Sequence, residues 1–227
     1  MKFILMLCVL LITVPAFAGT FRDNFDKNLD NWDLDLNGGS IEIKNGELVI
    51  IDSSPELASN ALMKNGNDIK DFKLYVDGIF IKELSANPWD YMCIMSRCST
   101  DILDKGIAWV SFEELGRIPF VIITPPPALQ QLGRNDIPFL LQFNKWYHIQ
   151  IEVKGSKLTL TVDNKLIHNV DWANQPMLCP RGSVALGAGG AEVHFDNFVI
   201  TGDEVPDNTE SVESTGKLAT TWARIRR

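Results

Sequence analysis

Three kinds of residue in this 227-residue chain have the chemistry for catalysis or ligation: carboxylates, imidazoles and thiols. A retaining glycosidase needs two carboxyl groups about 5–5.5 Å apart. On a strand alternate residues share a face, so the first two carboxylates of a Glu-x-Asp-x-x-Glu pattern come to one side. No glutamate here is followed two positions later by aspartate, so this route to glycoside cleavage is disfavoured. Glu113 and Glu114 in "SFEELGR" are adjacent. On a strand they point to opposite faces, and they read as solvated strand-end charges. Glu42 and Glu152 alternate with isoleucines and read as polar-face positions. His148, His168 and His194 fall in three separate alternating stretches, which suits polar or edge positions better than metal ligation. No Gly-x-Ser-x-Gly elbow, His-Glu-x-x-His pattern or phosphate-binding glycine loop is present. "GAGG" (187–190) lies between two strand patterns with no helix following, and reads as a turn.

Recognition of a sugar is better supported than its cleavage. Sugar rings present apolar C–H faces rimmed by hydroxyls, so their sites combine aromatic rings with carboxylates, amides and arginines. "SANPWDYMCIMSR" (85–97) and "STDILDKGIAW" (99–109) have this composition, and nominate Trp89, Asp90, Tyr91, Arg97, Asp101, Asp104 and Trp109 as ligand-binding residues. Arg117 and Arg134 flank a stiff "TPPPALQQLG" segment and are further candidates for the same face. Trp32, Trp146 and Trp172 read as structural.

The elements that must position these residues are strands. "SIEIKNGELVII" (40–51) alternates on both sides of Asn45-Gly46, a strong hairpin signal. "DFKLYVDGIFIKE" (71–83), "YMCIMSR" (91–97), "GIAWVSFEE" (106–114) and "RIPFVIIT" (117–124) continue the pattern. "KWYHIQIEVKGSKLTLTVDNKLIHNVDW" (145–172) predicts a three-stranded meander with turns at Lys154-Gly155-Ser156 and Asp163-Asn164. "GSVALGAGG" (182–190) and "AEVHFDNFVITG" (191–202) supply two last strands, the second with Val193, Phe195 and Val199 on one face and Asp196 and Phe198 on the other. About a dozen strands without a long helix imply an all-β fold.

Residues 1–18 carry Lys2, the apolar run "FILMLCVLLITV" and Ala16-Phe17-Ala18 after Pro15, the pattern of a secretory signal peptide with a mature start at Gly19. The expected organisation is therefore a signal peptide (1–18), one domain (19–202), and a flexible acidic linker with a short basic tail (203–227). No span remains after the signal is removed. Removing Cys8 leaves Cys93, Cys98 and Cys179, enough for one disulfide: Cys93 with Cys98, or either with Cys179, or none. The charge balance of 21 Lys and Arg against 29 Asp and Glu, net −8, argues against nucleic acid as partner.

Together "FRDNFDKNLDNW", "IEIKNGELVI", the meander and "GSVALGAGGAEVHFDNFVITG" resemble the concanavalin A-like lectin/glucanase superfamily, in particular its laminin G-like and 3-keto-disaccharide hydrolase-like branches. The resemblance implies a jelly-roll sandwich of two antiparallel sheets, one concave, with the first and last strands adjacent. That adjacency would explain the triplet Asp-Asn-Phe at both 23–25 and 196–198, by bringing Phe25 and Phe198 to one core edge. It also implies a structural calcium held by Asp23, Asp26 and Asp196 near the termini, the alternative being that these aspartates cap local turns. The function expected is a secreted, non-catalytic module that binds a glycan or another extracellular surface. The alternatives are a hydrolase of the 3-keto-disaccharide type and a structural or adhesion protein.

Overall fold

The computed structural model describes residues 19–54, 58–85, 90–98, 107–113, 118–123, 129–135, 141–173 and 180–208, with backbone alone for 107–109, 113, 118–123 and 129–135. The signal-peptide segment and residues 209–227 of the expected tail lie outside them. Among the described residues, fifteen strands form two antiparallel sheets: β1 Gly19–Asp23, β2 Trp32–Asp35, β3 Ser40–Lys44, β4 Glu47–Ile51, β5 Ser59–Met63, β6 Phe72–Glu83, β7 Tyr91–Cys98, β8 Ile107–Glu113, β9 Ile118–Ile123, β10 Leu129–Asn135, β11 Trp146–Lys154, β12 Lys157–Val162, β13 Lys165–Asp171, β14 Ser183–Gly189 and β15 Ala191–Gly202. The first sheet runs β13-β12-β11-β6-β15-β4-β3, with β1 also paired to β15; the second runs β10-β9-β8-β7-β14-β5-β2. The fold is thus the all-β jelly-roll sandwich expected, and no helix among the described residues is long and apolar enough to cross a membrane.

Local chemistry explains the regular parts. Asn45 and Gly46 both take positive φ, 56° and 75°, which matches the twist of a two-residue hairpin between β3 and β4. Asp163 and Asn164 do the same between β12 and β13, at 49° and 62°. Alternation then sends Tyr147, Ile149, Ile151 and Val153 from β11, and Leu158, Leu160 and Val162 from β12, into one core.

The two Asp-Asn-Phe triplets meet as the resemblance implies. β1 pairs antiparallel with the end of β15, Asp23 opposite Phe198. Phe25 and Phe198 are both fully buried and pack on Trp32 of β2, with ring centroids 5.6 and 5.1 Å away. Phe21 completes the cluster at 6.2 Å from Trp32 and 6.0 Å from Phe198. Since β1 and β15 belong to one sheet and β2 to the other, this cluster joins the layers. Asp23 fixes it from below: one carboxylate oxygen accepts from the Phe25 N–H at 2.8 Å, the other from Trp32 Nε1–H at 2.9 Å.

One expectation about β15 needs correction. Its register shifts between Asp196 and Val199, and Asn197 takes φ 53°. This bulge resets the alternation, so Phe195, Phe198 and Ile200 all face the core while Val199 turns outward.

Two further readings change. Cys93 and Cys98 are both buried thiols, set apart along one continuous strand, so the Cys93–Cys98 bridge does not form; Cys179 lies outside the described residues. Residues 203–208 are anchored, not loose. Val205 is buried, Asp207 and Asn208 accept from the N–H groups of Thr20 and Arg22 at 2.6 and 2.8 Å, and Asn208 Nδ2 donates to the Arg22 carbonyl at 2.6 Å.

Replacing Trp32 by alanine is expected to cost about 3–5 kcal/mol, read as a fall in the urea midpoint, because the cavity would open between both sheets. Burial pushes the Cys93 thiol well up from its ordinary pKa, so it should resist iodoacetamide at pH 8 in the native protein and react in urea. Fast labelling of the native protein would contradict its placement.

Candidate functional site

The outer face of the first sheet carries the most developed arrangement of exposed polar and aromatic groups among the described residues. Along β6, Phe72, Leu74 and Val76 face the core, which turns Lys73, Tyr75 and Asp77 outward. Along β11, Tyr147, Ile149 and Ile151 face inward, which turns His148, Gln150 and Glu152 outward. The ladder sets His148 opposite Asp77, Gln150 opposite Tyr75 and Glu152 opposite Lys73. On the other side of β6, Asp196 of β15 stands opposite Asp77.

These residues form a fixed polar row. His148 Nδ1 lies 2.5 Å from Asp77 Oδ1, and Asn197 Nδ2 donates to Asp77 Oδ2 at 2.8 Å. The His148 backbone N–H donates to Asp163 Oδ1 at 3.1 Å, which steadies the strand from the β12–β13 turn. A carboxylate at Nδ1 holds the proton there and leaves Nε2 as the free acceptor when the ring is neutral. The His148 side chain is 56% exposed and Asp77 only 16%, so the imidazole faces solvent on a shielded support. Tyr75, 40% exposed, adds an aromatic ring one rung away. Together with Gln150, Thr161 and Asn164 they line a shallow depression of about 240 Å³. The Lys73 ammonium lies 5.5 Å from the Tyr75 ring centroid, and its hydrogen bond to the Tyr75 side chain raises its pKa.

Such a surface offers donors, acceptors and a ring face to a hydroxyl-rich ligand, and one base to a proton. His194, on the same strand as Asn197, offers less: its two ring nitrogens face Glu47 at 2.8 Å and Glu192 at 3.3 Å. His168 is buried.

The sequence pointed elsewhere. Of the seven nominated ligand-binding residues, Trp89, Asp101 and Asp104 lie outside the described residues, and Trp109 is placed by backbone alone, opposite Met95. Asp90 is fully buried and accepts from the backbone and hydroxyl of Ser85. A side chain at Gly190, whose φ is 65°, would meet its carboxylate at 2.0 Å. Tyr91 is buried against the bare backbone of Gly189. Arg97, an extra residue in β7 with φ 57°, donates to the carbonyls of Lys70 (3.1 and 2.8 Å) and Gly155 (2.7 Å) and lies over Trp172. Burial lowers its pKa, against the opposing pull of Asp71. These three side chains serve the fold. Tyr91 joins Cys93, Met95, Ala58, Leu62, Cys98 and Ala185 in a second buried apolar cluster, apart from the inter-sheet core. Of the flanking arginines, Arg134 is placed by backbone alone and Arg117 lies outside the described residues.

The three aspartates suggested for calcium do not fit that ion. Both Asp23 oxygens already accept N–H groups, Asp26 is exposed in a turn, and Asp196 Oδ1 accepts from Asn197 N–H at 2.7 Å. Among the described residues no group of three or more His, Cys, Asp or Glu side chains is arranged for a metal. The local turn-capping alternative describes Asp23 and Asp196.

Tyr75, Asp77 and Asn197 were missed by the sequence reading, and His148 was read only as a polar position. Tyr75 and Asp77 stand two apart on the polar face of "KLYVDG", a signal that alternation makes visible.

Comparison with known proteins agrees with the architecture. The chain resembles the carbohydrate-binding module CBM66 from Bacillus subtilis (TM-score 0.59, 16% identity, 74% of this chain and 93% of that one). It also resembles a protein of unknown function with a galectin-like fold from the same organism (0.62, 9%, 82% and 98%). A third likeness is to a prokaryotic β-1,3-1,4-glucanase, a lichenase from a mouse hindgut metagenome (0.54, 13%, 82% and 100%). At these identities they establish the fold alone. No curated protein matches the chain. Residues 20–201, nearly all of the described sandwich, match the family described as 3-keto-alpha-glucoside-1,2-lyase-like domain, and the chain belongs to that family.

Proposed function

We propose that this domain is an exported carbohydrate-binding module that holds a glycan on the outer face of its first sheet without cleaving it. The observation that carries the reading is the exposed Tyr75 ring beside the fixed row of Asp77, His148 and Asn197. An aromatic ring supplies the apolar platform for one sugar face, and the carboxylate, imidazole and amides supply the directional hydrogen bonds. The likeness to a carbohydrate-binding module supports the ligand class, and the leader-like residues 1–18 support export. The missing Glu-x-Asp-x-x-Glu pattern supports binding without hydrolysis.

A second reading has one specific observation in its favour. A 1,2-lyase acting on a 3-keto glucoside removes the C2 proton, made acidic by the neighbouring ketone, while the C1–O bond breaks and a C1=C2 double bond forms. The step needs a base. His148 Nε2, with Asp77 at Nδ1 to stabilise the imidazolium once formed, has the required chemistry.

One experiment separates the two. The protein is incubated with a panel of glycans and 3-keto glucosides, and retained ligand and released aglycone are recorded together. Retention without release is expected, with Tyr75→Ala weakening it about tenfold, or about 1.4 kcal/mol. Aglycone release abolished by His148→Ala but kept by His194→Ala would instead establish the lyase. Failure of the wild-type protein to retain any glycan or release any aglycone would reject both.

A further inference from the structure

Among the described residues, a second depression adjoins the first on the outer face of the first sheet. The first is the one at Tyr75, Asp77 and His148. The second, of about 250 Å³, is lined by Asp71, Lys73, Glu152, Lys154 and Gly202 among others. Both lie along the same two strands, β6 and β11, whose ladder runs from His148 and Asp77 through Gln150 and Tyr75 to Glu152 and Lys73. Four residues of strand separate the outer rungs, a distance of about 13 Å at the usual rise. Lys73 links the two: it lines the second depression while its ammonium stands 5.5 Å from the Tyr75 ring of the first.

We infer that the ligand of this face is an oligosaccharide chain lying along β6 and β11, with Tyr75 beneath one sugar unit and a further unit seated between Lys73, Glu152 and Gly202. This rests on the carbohydrate-binding reading and extends it from ligand class to ligand length. The second depression suits a hydroxyl-bearing sugar, because it presents charges of both signs, Lys73 and Lys154 beside Asp71, Glu152 and Asp203. Lys73 and Glu152 stand 3.9 Å apart, so one ligand hydroxyl can accept from the ammonium and donate to the carboxylate. Gly202 lets β15 approach the start of β6 closely at this end, since a side chain there would meet the Asp71 carbonyl at 2.4 Å. Asp71 is itself held by the Gly155 N–H at 2.8 Å and by Arg97 at 3.6 Å, so that end of the groove is fixed before any ligand arrives.

Chain length is the test. Malto- and laminari-oligosaccharides of two to six glucose units are titrated against the full chain by calorimetry, with wild type, Tyr75→Ala and the double variant Lys73→Ala/Glu152→Ala. The expected result is a Kd at least tenfold lower for the longer members of one series than for its disaccharide. The double variant should lose that gain and keep the disaccharide affinity. Circular dichroism confirms that both variants fold, as exposed positions allow. Equal affinity for two and six units, still lost in Tyr75→Ala, would overturn the two-unit groove and leave the carbohydrate-binding reading standing. Binding unaffected by Tyr75→Ala, or no binding in either series, would overturn the inference together with the face it rests on.

Discussion

The buried indole of Trp32 is the contact on which the rest of the sandwich depends. It stands at the edge strand of one sheet and packs its ring against Phe198 of the other and against Phe25 of the β1–β2 connection, while Asp23 takes its N–H. An indole buried with its polar atom unpaired would cost free energy instead of supplying it. The pairing of β1 with β15 therefore does two things at once. It joins the first and last described strands in one sheet, and it delivers the acceptor that makes the aromatic cluster compatible with burial.

The same strand carries the constraint outward. β15 enters the aromatic cluster through Phe198, and the bulge at Asn197 that brings Phe198 inward also lifts the Asn197 amide onto Asp77. Core packing and surface geometry are thus coupled through one left-handed residue. Asp77, held from both sides by Asn197 and His148, has little rotational freedom left, and a rigid acceptor loses less entropy when a ligand hydroxyl arrives. Arg97 plays the corresponding part at the far end, where it ties the Gly155 turn to the approach of β6.

Local pattern made much of the fold legible. The Asn45-Gly46 hairpin, the meander of β11 to β13 and the inward faces of β6 and β15 up to Phe195 follow from alternation and turn chemistry within a few residues. The meeting of the two Asp-Asn-Phe triplets was legible only through resemblance, because it depends on pairing strands from opposite ends of the chain. The site was less accessible. His148 reaches Asp77 across 71 residues and Asn197 reaches it across 120, so no window of sequence contains the row. The roles of Tyr91 and Arg97 were hard to read for a related reason. Composition alone does not separate an aromatic or arginine that faces a ligand from one that fills the interior, and Tyr91 and Arg97 do the latter. The bulge at Asn197 escaped as well, since strict alternation assumes a ladder without an inserted residue.

The segment that follows β15 has a consequence for how the molecule behaves in a crowd. A strand beside the open medium offers a row of unpaired amides to any other extended chain, the starting geometry of intermolecular sheet growth. At β1 that invitation is withdrawn by side chains: Asp207 and Asn208 imitate the hydrogen bonds of a neighbouring strand without being one, and so provide nothing on which a further strand could register. The chain's own continuation acts as a stopper. The functional boundary of the folding unit accordingly lies beyond its last strand, among residues whose polar composition resembles a linker.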